Sequence, residues 1–588
     1  MTLKRRVKNE KGFGSRMQFL FAAIFLFFVL VLFRLVELQI FKHDFYSALA
    51  QGQHEIYEKI TPARGEIFIR DGSSEGIYPV AINKEMNLVY AVPRSIKEED
   101  REEIAEKISE DLEIDYNEVL SKISKENDAY EVLKNKVSQE MAVKIENEKL
   151  EGIEIAPESF RYYPGGELAA SVLGFVGYSG NERKGQYGIE GFCDSELKGE
   201  SGFLEQEKDA FGSWISFGNK NLESAKNGDD IVLTLDYTVQ YLVEQKLKEA
   251  VEKYGAESGN VVVMDPKTGA IIAMADYPTY DLNEYSKVDD MNVYLNSSIY
   301  DVYEPGSVQK IITEAIGIDT GKISPSTTYY DTGLVQIDGW NIRNSDGKAN
   351  ETQTMVQVLE KSLNTGTIFI EQQVGKKDFY AYLKKFGLDT PTGIEIKGEA
   401  SGNLLNLETY SDINYATASF GQGISVTPLG ILTAASALAN DGKLMKPYII
   451  DKYIDVDGNG KETEPTMVRQ VVSARTANLV SAMMVSVVEN GHAKNAKIAG
   501  YKIGGKTGTA QIPSKDKKGY EVGKSIHTFI CFGPLPNPRF TMLVKLDAPT
   551  AAIYAESTSV RAGKEILEEL IKYYHIAPTE IDELEAAK

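Results

Sequence analysis

An α+β fold is what the sequence predicts: an antiparallel sheet with an inserted helical subdomain, preceded by a mixed α/β pedestal and one N-terminal transmembrane helix. Three observations predict it. Apolar runs of strand length open and close the region after Asp230, at Asn260–Met264 with Ala270–Ala275 and again at Ser525–Phe532 with Phe540–Leu546. Between the two pairs, apolar residues recur at helical spacing, the pattern of helices inserted between strands of one sheet. Only one segment of the 588 residues, Met17–Phe33, is apolar throughout, with Gln18 as its single polar residue.

In chain order, residues 1–16 form a basic tail, with Lys4, Arg5, Arg6, Lys8, Lys11 and Arg16 against Glu10. Residues 17–41 continue the apolar run through Leu35, Val36, Leu38, Ile40 and Phe41, long enough to span a bilayer. The basic flank keeps the N-terminus cytoplasmic and places the rest of the chain outside. Ala48-Leu49-Ala50 has the look of a cleavage site, but it stands behind Arg34, Glu37, Lys42 and Asp44, so an uncleaved signal anchor is the better reading. Residues 42–230 mix strand-like runs such as Met86–Val92 with a charged helical stretch over Ile96–Lys149, read as a solvated helical face. Asn227-Gly228-Asp229 marks the boundary. Residues 231–576 then carry an amphipathic helix over Asp236–Tyr254, the two pairs of strands, and a last amphipathic helix over Glu565–Tyr574. Residues 577–588 are an acidic tail.

Composition excludes several classes. A formal charge of −22 argues against a nucleic-acid partner, which favours a basic face. The two cysteines, Cys193 and Cys531, fall in different predicted domains, and no disulfide is expected between them. The five histidines show no metal-ligand spacing, so neither a metal site nor a cofactor is expected.

Chemistry enters through three motifs in a fixed order. Ser307-Val308-Gln309-Lys310 comes first, Ser362-Leu363-Asn364 second, and Lys506-Thr507-Gly508-Thr509 third. Ser-x-x-Lys, Ser-x-Asn and Lys-Thr-Gly together are the parts of a serine enzyme that opens an amide through an acyl-enzyme. A hydroxyl is a weak nucleophile at neutral pH and needs a base within reach and an oxyanion site beside it. Singly, the motifs carry little. Ser-x-x-Lys recurs at Ser195–Lys198, Ser345–Lys348 and Ser514–Lys517, and Lys-Thr-Gly at Lys267–Gly269, where Asp265-Pro266 reads as a hairpin turn. Context discriminates. Ser307 follows the tight turn Tyr303-Glu304-Pro305-Gly306 and leads into Ile311, Ile312, Ala315, Ile316 and Ile318, a buried helix on which Lys310 stands over Ser307. A lysine on a buried helix needs a reason to be there, and the later motifs supply one. The third motif falls on a strand expected at a sheet edge, where backbone groups are free to pair with an extended peptide.

With Arg64-Gly65-Glu66-Ile67, Arg161-Tyr162-Tyr163-Pro164, Tyr187-Gly188-Ile189-Glu190-Gly191, Met264–Gly269 and Phe420–Pro428 beside these motifs, the chain resembles the class B penicillin-binding proteins. These are monofunctional peptidoglycan D,D-transpeptidases. The resemblance covers nearly everything after the anchor. It implies a penicillin-binding/β-lactamase-like transpeptidase domain over 231–576 on a non-catalytic pedestal or dimerisation domain over 42–230. It further implies that Ser307 is the nucleophile, Lys310 the base, and Ser362 the proton relay to the leaving amine, with Asn364 binding the substrate amide. Lys506, Thr507 and Thr509 would hold the terminal carboxylate of a D-Ala-D-Ala stem peptide. The N–H groups of Ser307 and Thr509 would form the oxyanion hole, and Gly508 would keep the strand edge open. A free lysine, with a pKa of about 10.4, is protonated at neutral pH, so burial and the neighbouring Lys506 must lower Lys310 for the role to work. Val308, Gln309, Leu363 and Ile69 depart from the commoner family residues without removing a reacting group.

The same resemblance implies a single-pass protein of the bacterial cell membrane, acylated by β-lactam antibiotics, with a polytopic membrane glycosyltransferase as partner. Glu99-Asp100-Arg101 lacks the phenylalanine and histidine of a glycosyltransferase site, so the pedestal is not expected to catalyse. Lys361-Ser362-Leu363-Asn364-Thr365-Gly366 is closer to the division branch than to the elongation branch. Alternative functions are hydrolysis through the same acyl-enzyme (a D,D-carboxypeptidase or β-lactamase), a β-lactam sensor, and a catalytically silent division scaffold. The motifs alone do not separate transfer from hydrolysis, because both pass through one acyl-enzyme.

Overall fold

The computed structural model describes residues 20–21, 24–29, 31–34, 55–72, 76–125, 128–179, 182–207, 220–514 and 519–580. Most of the anchor expected over 17–41 and all of the basic tail lie outside them. Residues 20–21, 24–29 and 31–34 are helical and exposed, and no helix among the described residues is long and apolar enough to cross a membrane. The described residues form two compact units. One contains β1 (Glu55–Ile60), which pairs antiparallel with the strand Gly202–Glu207, itself paired with Lys220–Glu223. The other comprises Ala63–Gly199 and Asn227–Lys588 and holds all three motifs.

The first half of this larger unit is built on β2 (Ile67–Arg70), β3 (Ile77–Ala91), β4 (Glu131–Val137) and β5 (Ile153–Tyr162), with helices α1 (Arg101–Leu112), α2 (Tyr116–Ile123) and α3 (Gln139–Glu148). Strand β4 interrupts the charged stretch 96–149, which its charge pattern had assigned to helix alone. Its Leu133 and Val137, four residues apart and so on one face of a strand, are buried beside Ile104, Ile108 and Leu112 of α1. Lys134 and Lys136 on the other positions hid that alternation. The pedestal motifs, weak separately, converge on one carboxylate. Glu190 is fully buried; its Oε2 accepts from Arg64 Nε at 2.8 Å and its Oε1 from Arg161 Nε at 2.6 Å. Arg64 also donates to Asp194 Oδ1 at 2.8 Å.

The sheet does not stop at the boundary expected near 230. Strand β6 (Asp230–Asp236) runs parallel to β2, Ile231 opposite Ile67, and its other edge pairs antiparallel with Ile450–Ile454. Ile69 is fully buried in β2. Asp236 then caps α4 (Tyr237–Tyr254), its side chain accepting from Val239 N.

A second sheet has five strands. β7 (Ser258–Met264) and β8 (Ile271–Tyr277) form its first hairpin, turned by Asp265–Gly269, with Gly269 at φ +86°. The early Lys-Thr-Gly is therefore a turn, as its context suggested. Helices α5 (Lys310–Asp319), α6 (Met355–Glu360), α7 (Asn364–Val374), α8 (Lys376–Lys385), α9 (Pro428–Leu438) and α10 (Ala474–Asn490) follow, with a small hairpin of β9 (Leu334–Ile337) and β10 (Trp340–Arg343) among them. The chain returns to the sheet through β11 (Gly504–Pro513), β12 (Tyr520–Gly533) and β13 (Phe540–Asp547), and α11 (Ser559–Tyr573) closes it. The order β8-β7-β13-β12-β11 leaves β11, the strand of the third motif, on the edge.

Candidate active site

Ser307 sits on one 3-10 turn, Gly306–Gln309, from which α5 begins at Lys310. Residues three apart eclipse in that geometry, which puts Ser307 and Lys310 on one side. Gly306, at φ +55°, donates its N–H to Gly421 O at 3.0 Å, so the Phe420–Gly423 segment braces the turn. Val308, Gln309 and Lys310 are buried, whereas Ser307 is half-buried.

The three motifs meet around one hydroxyl. Lys310, fully buried, donates from Nζ to Ser362 O at 2.6 Å, to Asn364 Oδ1 at 2.8 Å and to Ser362 Oγ at 3.3 Å. Lys506, also fully buried, donates to the same Ser362 Oγ at 3.0 Å and to Thr507 O at 3.1 Å. Ser362 Oγ thus accepts from the Nζ groups of two lysines, which leaves its own proton to point elsewhere. It reaches that place in a left-handed conformation, φ +54°, uncommon for a residue with a side chain. No carboxylate pairs with either lysine among the described residues. Burial first, and then the charge of Lys506, hold the Lys310 amine well below its ordinary range. Burial brings Lys506 down to about 7. Ser307 Oγ makes no hydrogen bond among the described residues, so the expected lysine–serine contact is one of shared position; in unliganded sites such bonds often close only with substrate.

On β11, Thr507 is buried and Thr509 half-buried, with Thr509 Oγ1 accepting from Ala555 N at 3.2 Å. Gly508, expected to leave room for a ligand, also packs closely on its neighbours. A Cβ there would stand 3.1 Å from both Pro305 O and Val308 Cγ1, against the turn that presents Ser307. It is close packing of strand on turn that demands glycine.

Two supports escaped the sequence reading. Asp331, fully buried, accepts from Thr365 Oγ1 at 2.7 Å, Asn350 Nδ2 at 2.8 Å, Asn344 Nδ2 at 2.9 Å and Gly333 N at 2.9 Å. This fixes the segment ending in Arg343, whose carbonyl takes Asn364 Nδ2 at 2.8 Å and so turns Asn364 Oδ1 towards Lys310. The second support is His527, opposite Thr509 in the sheet. Its Nε2 lies 3.1 Å from Ile553 O, which can only accept, so Nδ1 accepts from Thr558 Oγ1 at 2.7 Å. Burial lowers the imidazole to about 4, keeping it neutral where it ties residues 553–558 beside Thr509.

Comparison with known proteins agrees with this constellation. Residues 259–572 match the penicillin binding protein transpeptidase domain, and residues 59–233 match the penicillin-binding protein dimerisation domain. The chain is 34% identical over 545 residues to the stage V sporulation protein D of Bacillus subtilis, covering 92% of this chain and 82% of that one. It belongs to the class B penicillin-binding proteins. Another relative of this penicillin-binding protein is the probable peptidoglycan D,D-transpeptidase PenA of Neisseria meningitidis, 30% identical and spanning 94% of this chain and 91% of that one. Among solved structures, penicillin-binding protein 3 of Mycobacterium tuberculosis complexed with aztreonam superposes with a TM-score of 0.68 at 26% identity, over 89% of this chain and 98% of that one. Penicillin-binding protein 2X of Streptococcus thermophilus shares the fold, with a TM-score of 0.71 at 23% identity, over 88% and 80% of the two chains.

Proposed function

We propose that this penicillin-binding protein is a D,D-transpeptidase that joins peptidoglycan stem peptides through an acyl-enzyme on Ser307 and is acylated there by β-lactams. The observation that carries this reading is the buried Lys310, its amine pushed well below its ordinary range beside Lys506, with both lysines on Ser362 Oγ and Ser307 at the open side. Ser307 Oγ attacks the carbonyl of the penultimate D-alanine and its proton passes to Lys310 Nζ. The oxyanion collects at the N–H groups of Ser307 and Thr509. Ser362 passes a proton to the leaving D-alanine amine, while Lys506, Thr507 and Thr509 hold its carboxylate. An amine of a second peptide then attacks the ester carbonyl, the same groups act in reverse, and Ser307 is freed.

The motif Lys361-Ser362-Leu363-Asn364-Thr365-Gly366 favours septal wall synthesis, with a polytopic glycosyltransferase as membrane partner. The basic flank and the apolar run after it support a single-pass anchor over 17–41, N-terminus cytoplasmic and catalytic domain outside. A wall-building role confined to sporulation is the second reading, favoured by the likeness to the Bacillus subtilis protein. A labelled D-amino acid supplied with a D-Ala-D-Ala donor peptide tests the reaction. Incorporation of label with release of D-alanine supports transfer; release of D-alanine without incorporation makes the protein a hydrolase.

A further inference from the structure

A recess of about 90 Å3 lies in the pedestal, and none of the three motifs lines it. The ends of β4 and β5 bring Lys136 and Arg161 to it. The paired strands Phe175–Ser179 and Glu182–Gln186 bring Tyr178 and Arg183, which stand opposite each other in register. The rings of Phe160 and Tyr285 complete its apolar wall. Among the described residues three cations and no carboxylate line it, in a chain whose formal charge is −22.

The cations differ in what they already hold. Arg183 donates to Glu158 Oε1 at 2.6 Å and lies 4.4 Å from the centre of the Phe160 ring. Arg161, 8% exposed, gives Nε to Glu190 at 2.6 Å and Nη1 to Asn83 Oδ1 at 3.3 Å. Its Nη2 is buried and has no partner among the described residues, a costly state for a charged donor. Lys136 Nζ meets a neutral acceptor, Asn283 O at 3.2 Å. The carboxylates that pull on it are engaged elsewhere: Glu284 pairs with Lys287 at 2.8 Å, and Asp281 accepts from Asn283 N at 2.8 Å. Lys136 also stands in a left-handed conformation, φ +57°, where the pairing of β4 with β3 slips between Val89–Lys134 and Asn87–Val137. Such bulges re-aim a side chain at the expense of local strain. Partial desolvation, against the pull of Glu284, and the charge of Arg183 hold the Lys136 amine below its ordinary range. Like charges are thus kept close with no anion among them.

The charge balance selects the anion. Glu190 and Asp194 offset Arg64 and Arg161, and Glu158 offsets Arg183, which leaves the single charge of Lys136. One charge suits a carboxylate better than a phosphate dianion, and the aromatic wall suits an aliphatic chain behind it. We propose that this recess binds an aliphatic carboxylate, with Lys136 as its counter-ion and Arg161 Nη2 as the buried donor. The site does not depend on acylation of Ser307.

Equilibrium dialysis of the full chain against labelled butyrate at constant ionic strength tests it, with Lys136→Met and the charge-keeping Lys136→Arg beside the wild type. One butyrate per wild-type chain is expected. A charge-assisted contact predicts an affinity about tenfold lower in Lys136→Met and largely kept in Lys136→Arg. Unlabelled competitors distinguish the source of the carboxylate. A capped peptide with one glutamate that displaces butyrate, where its glutamine counterpart does not, supports a carboxylate borne by a polypeptide. Butyrate that binds but resists the glutamate peptide supports a free organic acid. Absence of binding, equal binding by Lys136→Met, or equal loss in both variants overturns the proposal. Inorganic phosphate that binds more tightly than butyrate overturns it too.

Discussion

Replacing Lys506 by methionine tests how far its charge pushes down the Lys310 amine. The two Nζ atoms lie 3.3 and 3.0 Å from one oxygen, Ser362 Oγ, and so are no more than about 6 Å apart. Unit charges at about 6 Å in an effective dielectric of about 20 repel by about 3 kcal/mol, or about two pKa units. Lys506 is protonated below about 7, and its charge is one of the two causes that push the Lys310 amine down. Methionine keeps the burial and removes the charge. The pKa of Lys310 should therefore rise by about two units, and because a base must be neutral, the acid limb of the acylation profile moves to higher pH by the same amount. Stopped-flow acylation by a chromogenic cephalosporin, expressed as the second-order rate constant against pH, reads the free enzyme. The amplitude should fall as well, since Lys506 is proposed to hold the ligand carboxylate, so the position of the limb is the measurement. A limb that stays in place or moves towards acid refutes the coupling.

The same lysine carries a stability signature. With a folded value of about 7 and an ordinary value of 10.5, the unfolded chain binds the extra proton between them, so stability rises with pH across that window. Urea unfolding of the Lys506→Met variant should show a smaller rise, the remainder being that of the buried Lys310. Asp331→Ala removes an acceptor used by Thr365, Asn344 and Asn350 and should cost about 3 kcal/mol in unfolding free energy, with a loss of acylation rate of about tenfold or more as Asn364 turns away from Lys310. Glu190→Gln leaves the buried Arg161 short of its partner, and weakens a contact of Arg64, which keeps Asp194; it should cost about 3 kcal/mol, with penicillin acylation of the folded protein unchanged. Gly508→Ala should slow acylation about tenfold with a small change in melting temperature, because the added Cβ presses on Pro305 O and Val308.

The sequence made the chemistry legible and left its scaffolding obscure, for physical reasons. Ser307, Lys310, Ser362, Asn364 and Lys506 are recognisable because reacting groups must keep their types and order, and the structure brings the lysines and Asn364 within hydrogen-bond reach around Ser362. Strand β11 could be placed at the edge because the strands flanking the helical insertion are uniformly apolar. Asp331 and Asn344 look like an ordinary polar turn, since partners thirteen to thirty-four residues away leave no periodicity. Strand β4 was masked by charge on its outer face. The pairing of β6 with β2 joins residues far apart in sequence, so composition does not reveal it. Gly508 shows the same limit: its neighbour, the Pro305–Val308 turn, comes from another motif, and only three-dimensional packing brings the two together.

The central claim is that Ser307 is the nucleophile, and intact-mass analysis of residues 42–588 after incubation with penicillin tests it most directly. A stable adduct of one penicillin per chain on the wild type, and none on Ser307→Ala, is the predicted result. A folded wild type that gains no mass at high drug concentration, or a Ser307→Ala variant that still gains it, contradicts the account.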